Sequence, residues 1–306
     1  MGLHVSTAPY VRSHDNTRAL MLDVIFALIP ATLAGIFFFG LKALVHVLIG
    51  VGTAVLAEGA FQKLTHKPIR IGDCSAAVTG LLLSLTMPVY APPWVTCIGS
   101  IIAIVLVKQL FGGIGNNFMN PALTSRAILV ASWPEAVTAF TLPIFSLGTK
   151  IDAVSSATIL VGLEATPLEM FMGFIPGCIG EVSKAAILLG LLFLLLRGTI
   201  TWHIPVVYVG SYSLLAIVLG NYVLSGILSG GLLFGAVFMA TDYVTTPMTR
   251  NGRILYAVGC GALTCLIRNF SNYPEGATFA ILLMNIATPL IDKYIKGANV
   301  YGKGNK

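Results

Sequence analysis

A run of small and polar residues at 112–126 contains the side chains best suited to bind a ligand. Its glycines, among them Gly113 and Gly115, allow a backbone or a ligand to approach closely. Asn117 and Asn120 offer both donors and acceptors, which suits a flat heterocycle with alternating N–H and C=O groups. The alternative is that these residues cap a broken helix and join neighbouring helices. The residue types alone leave both interpretations open.

Acidic residues within or beside apolar stretches form the second group of candidates. Asp242 lies in the polar stretch 241–247, and the next charged residue is Arg250. We expect Asp242 either to pair with a helix terminus or to serve a cation or a cofactor. Glu58 and Asp292 lie near the ends of apolar stretches. Such carboxylates are typical of a Na⁺ or H⁺ path through a membrane protein, and the alternative for these two is a side chain that faces the membrane interface.

Neither a metal site nor a dinucleotide-binding fingerprint is predicted. The five cysteines form no CxxC pair and no Cys/His spacing suited to zinc or an iron–sulfur cluster. The glycine-rich run is not a GxGxxG sequence and follows no predicted strand, so we do not expect it to bind NAD directly. The hydroxyl groups of DAVSSATIL at 152–160 are, on their own, ordinary loop side chains.

The composition decides what kind of element must position these residues. Of the 306 residues, 56% are hydrophobic and 10% charged, whereas a soluble domain is typically about 25% charged. The mean hydropathy is +0.88. These values exclude soluble and disordered classes, and the scattered basic residues exclude a nucleic-acid binder. We therefore predict an all-α protein that crosses the lipid bilayer several times.

A helix that crosses a bilayer needs about 20 predominantly apolar residues. Ten stretches of the chain meet this description: 19–39, 43–62, 74–90, 94–111, 117–132, 183–197, 202–219, 222–241, 254–268 and 276–292. Most Lys and Arg residues fall on one side when both termini are cytoplasmic. The prediction is thus ten spans with cytoplasmic N- and C-termini in a bacterial inner membrane.

The spans divide into two groups of five. Residues 1–132 carry the first five, residues 183–306 carry the last five, and 133–182 form an acidic extracytoplasmic loop whose apolar part near 171–179 is expected to lie on the membrane surface. The stretches 111–127 and 234–250 share a Phe-Gly pair, a Phe-Met pair and a final polar part. Five spans is an odd number, so two such repeats must have inverted topology, as in many transporters.

The motifs together resemble a known family. GGIGNNFMNPALTSRA, DAVSSAT, MATDYVTTP and PEGATFAILLMNIATPLID are similar to those of the D subunit of the Rnf ion-translocating ferredoxin:NAD⁺ oxidoreductase, and to its paralogue, the B subunit of the Na⁺-translocating NADH:quinone oxidoreductase. The resemblance covers essentially the whole chain. It implies an architecture like that of the urea transporters, with two inverted five-helix repeats.

The resemblance also implies cofactors. In this family a Thr of an S/T-G-A-T motif carries FMN through a phosphoester made by a flavin transferase, and the matching residue is Thr158, with Thr166 as the alternative. Ser156 stands where the family usually has Gly, and Ile159 where Pro is common. The region of Gly113, Gly115, Asn117 and Asn120 matches the one that holds non-covalent riboflavin in relatives, and Asp242 is expected to line it. Glu58 and Asp292 match acidic positions implicated in ion uptake.

The function implied is a flavin-carrying membrane subunit of a redox-driven pump for Na⁺ or H⁺. It would relay electrons between ferredoxin-derived carriers and NAD⁺, with the other subunits of the Rnf complex as partners, and would not catalyse the whole reaction alone. The rival interpretation is a permease or channel of urea-transporter type with Asn117, Asn120 and Asp242 as substrate ligands. A third is a structural subunit whose polar clusters hold helices together.

Overall fold

The computed structural model describes residues 16–141, 143, 166–271 and 276–295. In these ranges all regular structure is helical. The α-helices are α1 (Thr17–Phe39), α2 (Leu41–Leu64), α3 (Ser75–Leu85), α4 (Pro93–Ile101), α5 (Pro121–Ser132), α6 (Pro134–Thr138), α7 (Pro167–Met172), α8 (Lys184–Leu196), α9 (His203–Val218), α10 (Val223–Leu228), α11 (Leu232–Phe234), α12 (Arg250–Phe270) and α13 (Ala277–Tyr294). Two π-helical segments, Ile102–Gln109 and Gly235–Met239, directly continue α4 and α11.

Helices α1 and α2 are long and apolar enough to cross a membrane. Gly40, with φ of 70°, separates them, because a left-handed φ is readily adopted by glycine and ends the first helix sharply. Large apolar side chains on both helices are exposed, for example Phe37 and Leu56. Four shorter apolar helices accompany them, including α8 and α9. A contiguous apolar exterior of this kind fits lipid rather than water.

Each of the ten predicted stretches contains a helix, but several differ in extent. The stretch 74–90 is helical as far as Leu85, because Pro88 soon follows and cannot continue the hydrogen-bonding pattern. The stretch 222–241 is split into α10 and α11 with its π-helical continuation. Gly230, at φ of 60°, lies in the break, because glycine adopts this conformation without steric cost.

Glycines allow the helices to pack closely at three crossings. At the contact of α2 with α3, a Cβ on Gly80 would lie 2.8 Å from the Cβ of Ala54. At the contact of α1 with α8, a Cβ on Gly190 would collide with the Ala27 carbonyl, and at α9 with α12 a Cβ on Gly261 would lie 2.8 Å from the amide nitrogen of Tyr212. Small residues at helix crossings are the usual means of tight association in membranes.

The two stretches of the internal sequence match lie at different places in the order of helices. The stretch 111–127 lies between the fourth and fifth helical stretches, whereas 234–250 lies between the eighth and ninth. In a five-plus-five arrangement the second would be the junction of the third and fourth helices of its half. The Phe-Gly pairs also differ, since Phe111 follows one π-helical segment and Phe234 precedes the other.

The segment before α8 lies inside the protein. The expected location of residues 171–179 on the membrane surface does not hold for the second part of the stretch, since Ile175 and Ile179 are buried, whereas Met172 is exposed. A Cβ on Gly35 of α1 would be 2.6 Å from the Ile179 side chain. Lys184, the first residue of α8, is also buried, with 1% of its surface exposed. Apolar character alone could not distinguish a surface segment from one that enters the helical core.

Candidate functional site

The candidate site begins at the end of the first π-helical segment. Gly112, Gly113 and Gly115 all have φ between 91° and 111°, so the chain there takes a left-handed path that favours glycine. Asn120 then precedes α5 and caps it, because its Oδ1 accepts from the amides of Ala122 at 3.1 Å and Leu123 at 3.2 Å. The capping interpretation of Asn120 is therefore realised in the structure.

Asn120 also contacts the other half of the chain. Its Nδ2 donates to the Met239 carbonyl, at 3.5 Å, in the second π-helical segment. The neighbouring Asn117 donates from Nδ2 to the Met119 carbonyl at 3.1 Å. Open space lies beside Gly113 and Gly115, since a Cβ at either position would meet nothing within 4 Å. These two glycines therefore contribute their left-handed backbone conformation.

The second polar stretch forms a turn after its π-helical segment. Asp242 accepts from the Val244 amide at 3.4 Å and from the Thr245 hydroxyl at 3.3 Å. The Thr245 carbonyl in turn accepts from Thr288 Oγ1 on α13, at 3.0 Å. These bonds hold the Asp242 carboxylate in a turn rather than at a helix N-terminus.

The two polar stretches face one cavity, hereafter the central cavity. It has a volume of about 80 Å³ within a partly open cleft of about 760 Å³. Asn117, Asn120 and Asp242 all line it, so the structure brings together three of the predicted residues. Gly113 lines a different cavity. Most other walls are apolar, which is typical of ligand sites with a few placed polar groups. They include Met21, Val24, Val78, Leu82, Ile114, Leu194 and Phe238.

Glu58 lies in a buried charged group next to this cavity. Its Oε1 forms an ion pair with Lys108 Nζ at 2.7 Å and accepts from Gln109 Nε2 at 2.6 Å. Lys108 also donates to Ser75 Oγ at 2.5 Å. Only 1% of Glu58 and 3% of Lys108 is exposed. The alternative of an interface-facing Glu58 is therefore wrong, because its counter-charge lies inside the protein.

A second cavity, hereafter the side cavity, adjoins Glu58 and has a volume of about 240 Å³. Its walls come from the end of α2, the following loop and the glycine-rich stretch. Its polar and charged lining residues are Glu58, Gln62, Lys67, Arg70, Asp73 and Gln109. Ile114 lines both cavities, so the glycine-rich stretch forms part of both.

A further buried cluster, which the sequence did not predict, holds the break between α10 and α11. Lys184 Nζ donates to the carbonyls of Glu181 and Gly230. Arg268 donates to the Gly226 carbonyl at 2.6 Å and to the Ser229 carbonyl at 3.3 Å. Carbonyls freed at a helix break need donors. The sequence does place Lys184 and Arg268 beside apolar segments that contain glycine. Ordinary helix ends show the same pattern, so it did not predict this cluster.

The remaining predicted residues lie apart from the central cavity. Thr158 and its motif fall outside the described residues. Thr166 is exposed and caps α7, where its Oγ1 donates to Glu169 Oε2 at 2.8 Å. These bonds from Thr166 lower the pKa of the Glu169 carboxyl below its ordinary value of 4.5. Asp292 is partly exposed and accepts from the Met248 amide at 3.0 Å, so it anchors the segment before α12.

Comparison with known proteins identifies the family. The model of the NQR2, RnfD, RnfE family matches residues 4–301. The chain belongs to this family. Family members are membrane proteins, in keeping with the length and apolar character of α1 and α2.

Relatives in the NQR2, RnfD, RnfE family match along nearly their whole length. The chain is 44% identical to the D subunit of the Na⁺-translocating ferredoxin:NAD⁺ oxidoreductase complex of Acetobacterium woodii, over 99% of this chain and 96% of the relative. It is 42% identical to the D subunit of the proton-translocating ferredoxin:NAD⁺ oxidoreductase complex of Clostridium ljungdahlii, over 95% and 93%. It is 38% identical to the D subunit of the ion-translocating oxidoreductase complex of Stutzerimonas stutzeri, over 93% of each.

Proposed function

We propose that the chain is the flavin-carrying membrane D subunit of an ion-translocating ferredoxin:NAD⁺ oxidoreductase, in which it relays electrons and takes part in moving Na⁺ or H⁺. Full-length similarity to the D subunits of such complexes supports the assignment. The observation that carries the flavin part is the convergence of Asn117, Asn120 and Asp242 on one mainly apolar cavity. The other subunits of the complex are its partners in a bacterial inner membrane.

The residues around the central cavity fit riboflavin. Apolar walls suit a flat aromatic ring, and amide and carboxylate groups suit its N–H and C=O edge. The Asn120 Oδ1 is already used by two α5 amides, so among the three predicted residues Asn117, Asp242 and the second Asn120 Nδ2 hydrogen are the groups left for a ligand. Riboflavin would supply one- and two-electron chemistry there, while the protein orients it and sets the charge around it.

Thr158 is the proposed attachment site for FMN, by a flavin transferase. The environment of the alternative, Thr166, argues against that residue. A phosphoester there would replace the hydroxyl that donates to Glu169 and would place a negative phosphate beside the Glu169 carboxylate. The cost is the loss of the hydroxyl hydrogen bond to Glu169 together with charge repulsion between the phosphate and the carboxylate.

For ion movement we propose ten membrane spans in two inverted five-helix repeats with both termini cytoplasmic. The order of helices fits five stretches before the 133–182 loop and five after it, and α1 of the first half packs against α8 of the second through Gly190. Glu58 and Asp242 lie beside adjoining cavities. Asp292 is the weaker candidate, because its carboxylate anchors the Met248 amide.

The rival function is a urea-transporter-like permease that uses the same three polar residues without flavin. Electrophoresis under denaturing conditions separates the two. After co-expression with the flavin transferase, the proposal expects ultraviolet fluorescence at the mass of this chain that disappears in Thr158→Ala and persists in Thr166→Ala. A chain without covalent fluorescence supports the permease. If the fluorescence disappears in Thr166→Ala and persists in Thr158→Ala, the attachment site is Thr166.

A second measurement tests the central cavity. Asn117→Ala should lose acid-extractable riboflavin while the covalent fluorescence stays. Asn120→Ser is the better variant at position 120, because a serine hydroxyl can still cap α5. If the purified complex never contains riboflavin, Asn117 and Asn120 have a purely structural role.

A further inference from the structure

Lys108 connects the central cavity with the side cavity. Its side chain lines the central cavity, and its ammonium group is 2.7 Å from the Oε1 of Glu58, which lines the side cavity. Ser75, which accepts a second hydrogen bond from Lys108, lines the central cavity too. One buried cation is therefore in contact with groups of both cavities.

Glu58 has unused capacity for a positive partner. Its Oε1 is occupied by Lys108 and Gln109, whereas the buried Oε2 has no hydrogen-bond partner within the described part of the chain. A buried carboxylate oxygen without a partner is costly. A cation that enters from the side cavity would bind at this oxygen, and the positive charge of the Lys108 ammonium on the same carboxylate opposes it.

We infer that Lys108 is a positioning residue that makes the charge of the central cavity control cation binding at Glu58. The inference rests on the proposed function, since it takes the added negative charge to be an electron delivered to flavin in the central cavity. That charge attracts the Lys108 ammonium, the ion pair with Glu58 breaks, and a cation from the side cavity replaces it. One negative and one positive charge enter together, so the net charge of the two cavities is unchanged.

The charged surroundings fit this exchange. Asp242 is an acidic group of the central cavity, which Lys108 also lines. The side cavity also carries Asp73, Lys67 and Arg70. Lys67 and Arg70 are exposed, so water and salt screen their repulsion of an incoming cation. The buried Lys108–Glu58 pair is screened much less, and its rearrangement dominates.

Carbodiimide labelling tests the inference on the purified complex. The reagent modifies a carboxyl group that has taken up a proton, and mass spectrometry measures the modified fraction of Glu58. In the wild-type complex, reduction in a buffer free of Na⁺ should raise Glu58 labelling several-fold, because Lys108 has left the carboxylate and a proton is then the cation that replaces it. Lys108→Met should label about tenfold more than the oxidised wild type in both redox states, and Lys108→Arg should keep the redox dependence.

Lys42→Met is the matched control, because Lys42 contacts the Tyr90 ring rather than a carboxylate; it should behave as wild type. Equal labelling of oxidised and reduced wild-type complex that contains riboflavin would overturn the inference. So would a Lys108→Met complex, assembled and loaded with flavin, that labels like the oxidised wild type. If the purified complex contains no riboflavin, the proposed function is contradicted instead. In such a complex, equal Glu58 labelling of Lys108→Met and wild type would reject the role of Lys108 as well.

Discussion

The Asn120 side chain joins the two halves of the protein, since it caps α5 through Oδ1 and donates through Nδ2 to the Met239 carbonyl at 3.5 Å. These two roles can be separated by substitution. Asn120→Ala removes both and should lower the free energy of unfolding by about 0.5–2 kcal/mol for the cap, plus the cost of an unpaired Met239 carbonyl. Asn120→Ser should recover the cap portion. Thermal unfolding of the purified complex measures both, and equal midpoints for the two variants would contradict a capping role.

The contact of α1 with α8 depends on the absence of a side chain at Gly190. A Cβ there would collide with the Ala27 carbonyl and lie 2.7 Å from Phe238 Cζ. We expect Gly190→Ala to cost about 1–3 kcal/mol by overpacking and to reduce assembly of the complex. Gly210→Ala is the control, since nothing lies within 4 Å of a Cβ at that helical position, and it should be neutral or stabilising by up to about 1 kcal/mol. Similar losses in both variants would exclude this packing explanation.

Lys184 should stabilise the broken helix through the Gly230 carbonyl. Lys184→Met keeps much of the buried volume but leaves this carbonyl without its donor at 3.1 Å. The expected loss is about 1–3 kcal/mol, observed as a lower thermal midpoint and faster hydrogen exchange near 226–231. Lys293→Met, at an exposed position, should change stability by less than about 0.5 kcal/mol. An unaltered exchange rate at the break would refute the role of Lys184.

The α7 cap should weaken in acid. Hydrogen bonds from Thr166 lower the pKa of the Glu169 carboxyl, so the ionised form is favoured in the folded state. The resulting stabilisation is complete above the unfolded-state pKa and is lost as the pH falls through the lower, folded-state pKa. Hydrogen exchange of 166–173, corrected for the intrinsic effect of pH, should therefore rise below about pH 4. Glu169→Gln should remove this dependence, and its persistence in that variant would assign it to another group.

Sequence reasoning was most accurate where local composition decides the structure. Hydropathy located a helix in each of the ten stretches, because a long apolar segment satisfies its backbone polar groups most readily within a helix of its own. Close approach was the expected reason for the glycines of the run 112–126, but a Cβ at Gly113 or Gly115 would meet nothing within 4 Å, and their left-handed φ values explain why glycine stands there. The family assignment followed from the motifs and is confirmed by the match over residues 4–301.

Contacts between distant residues required the tertiary structure. The pairing of Glu58 with Lys108, 50 positions apart, and of Asn120 with Met239, 119 apart, depends on how helices cross. The same holds for the burial of Ile179 and for the carbonyls that Lys184 and Arg268 satisfy. The hydropathy of a segment predicts that it is not exposed to water. It does not distinguish the side of a helix that faces lipid from the side that faces protein, because both are apolar. The packing of helices against one another decides which charged residues form pairs. A local stretch of sequence does not show this packing.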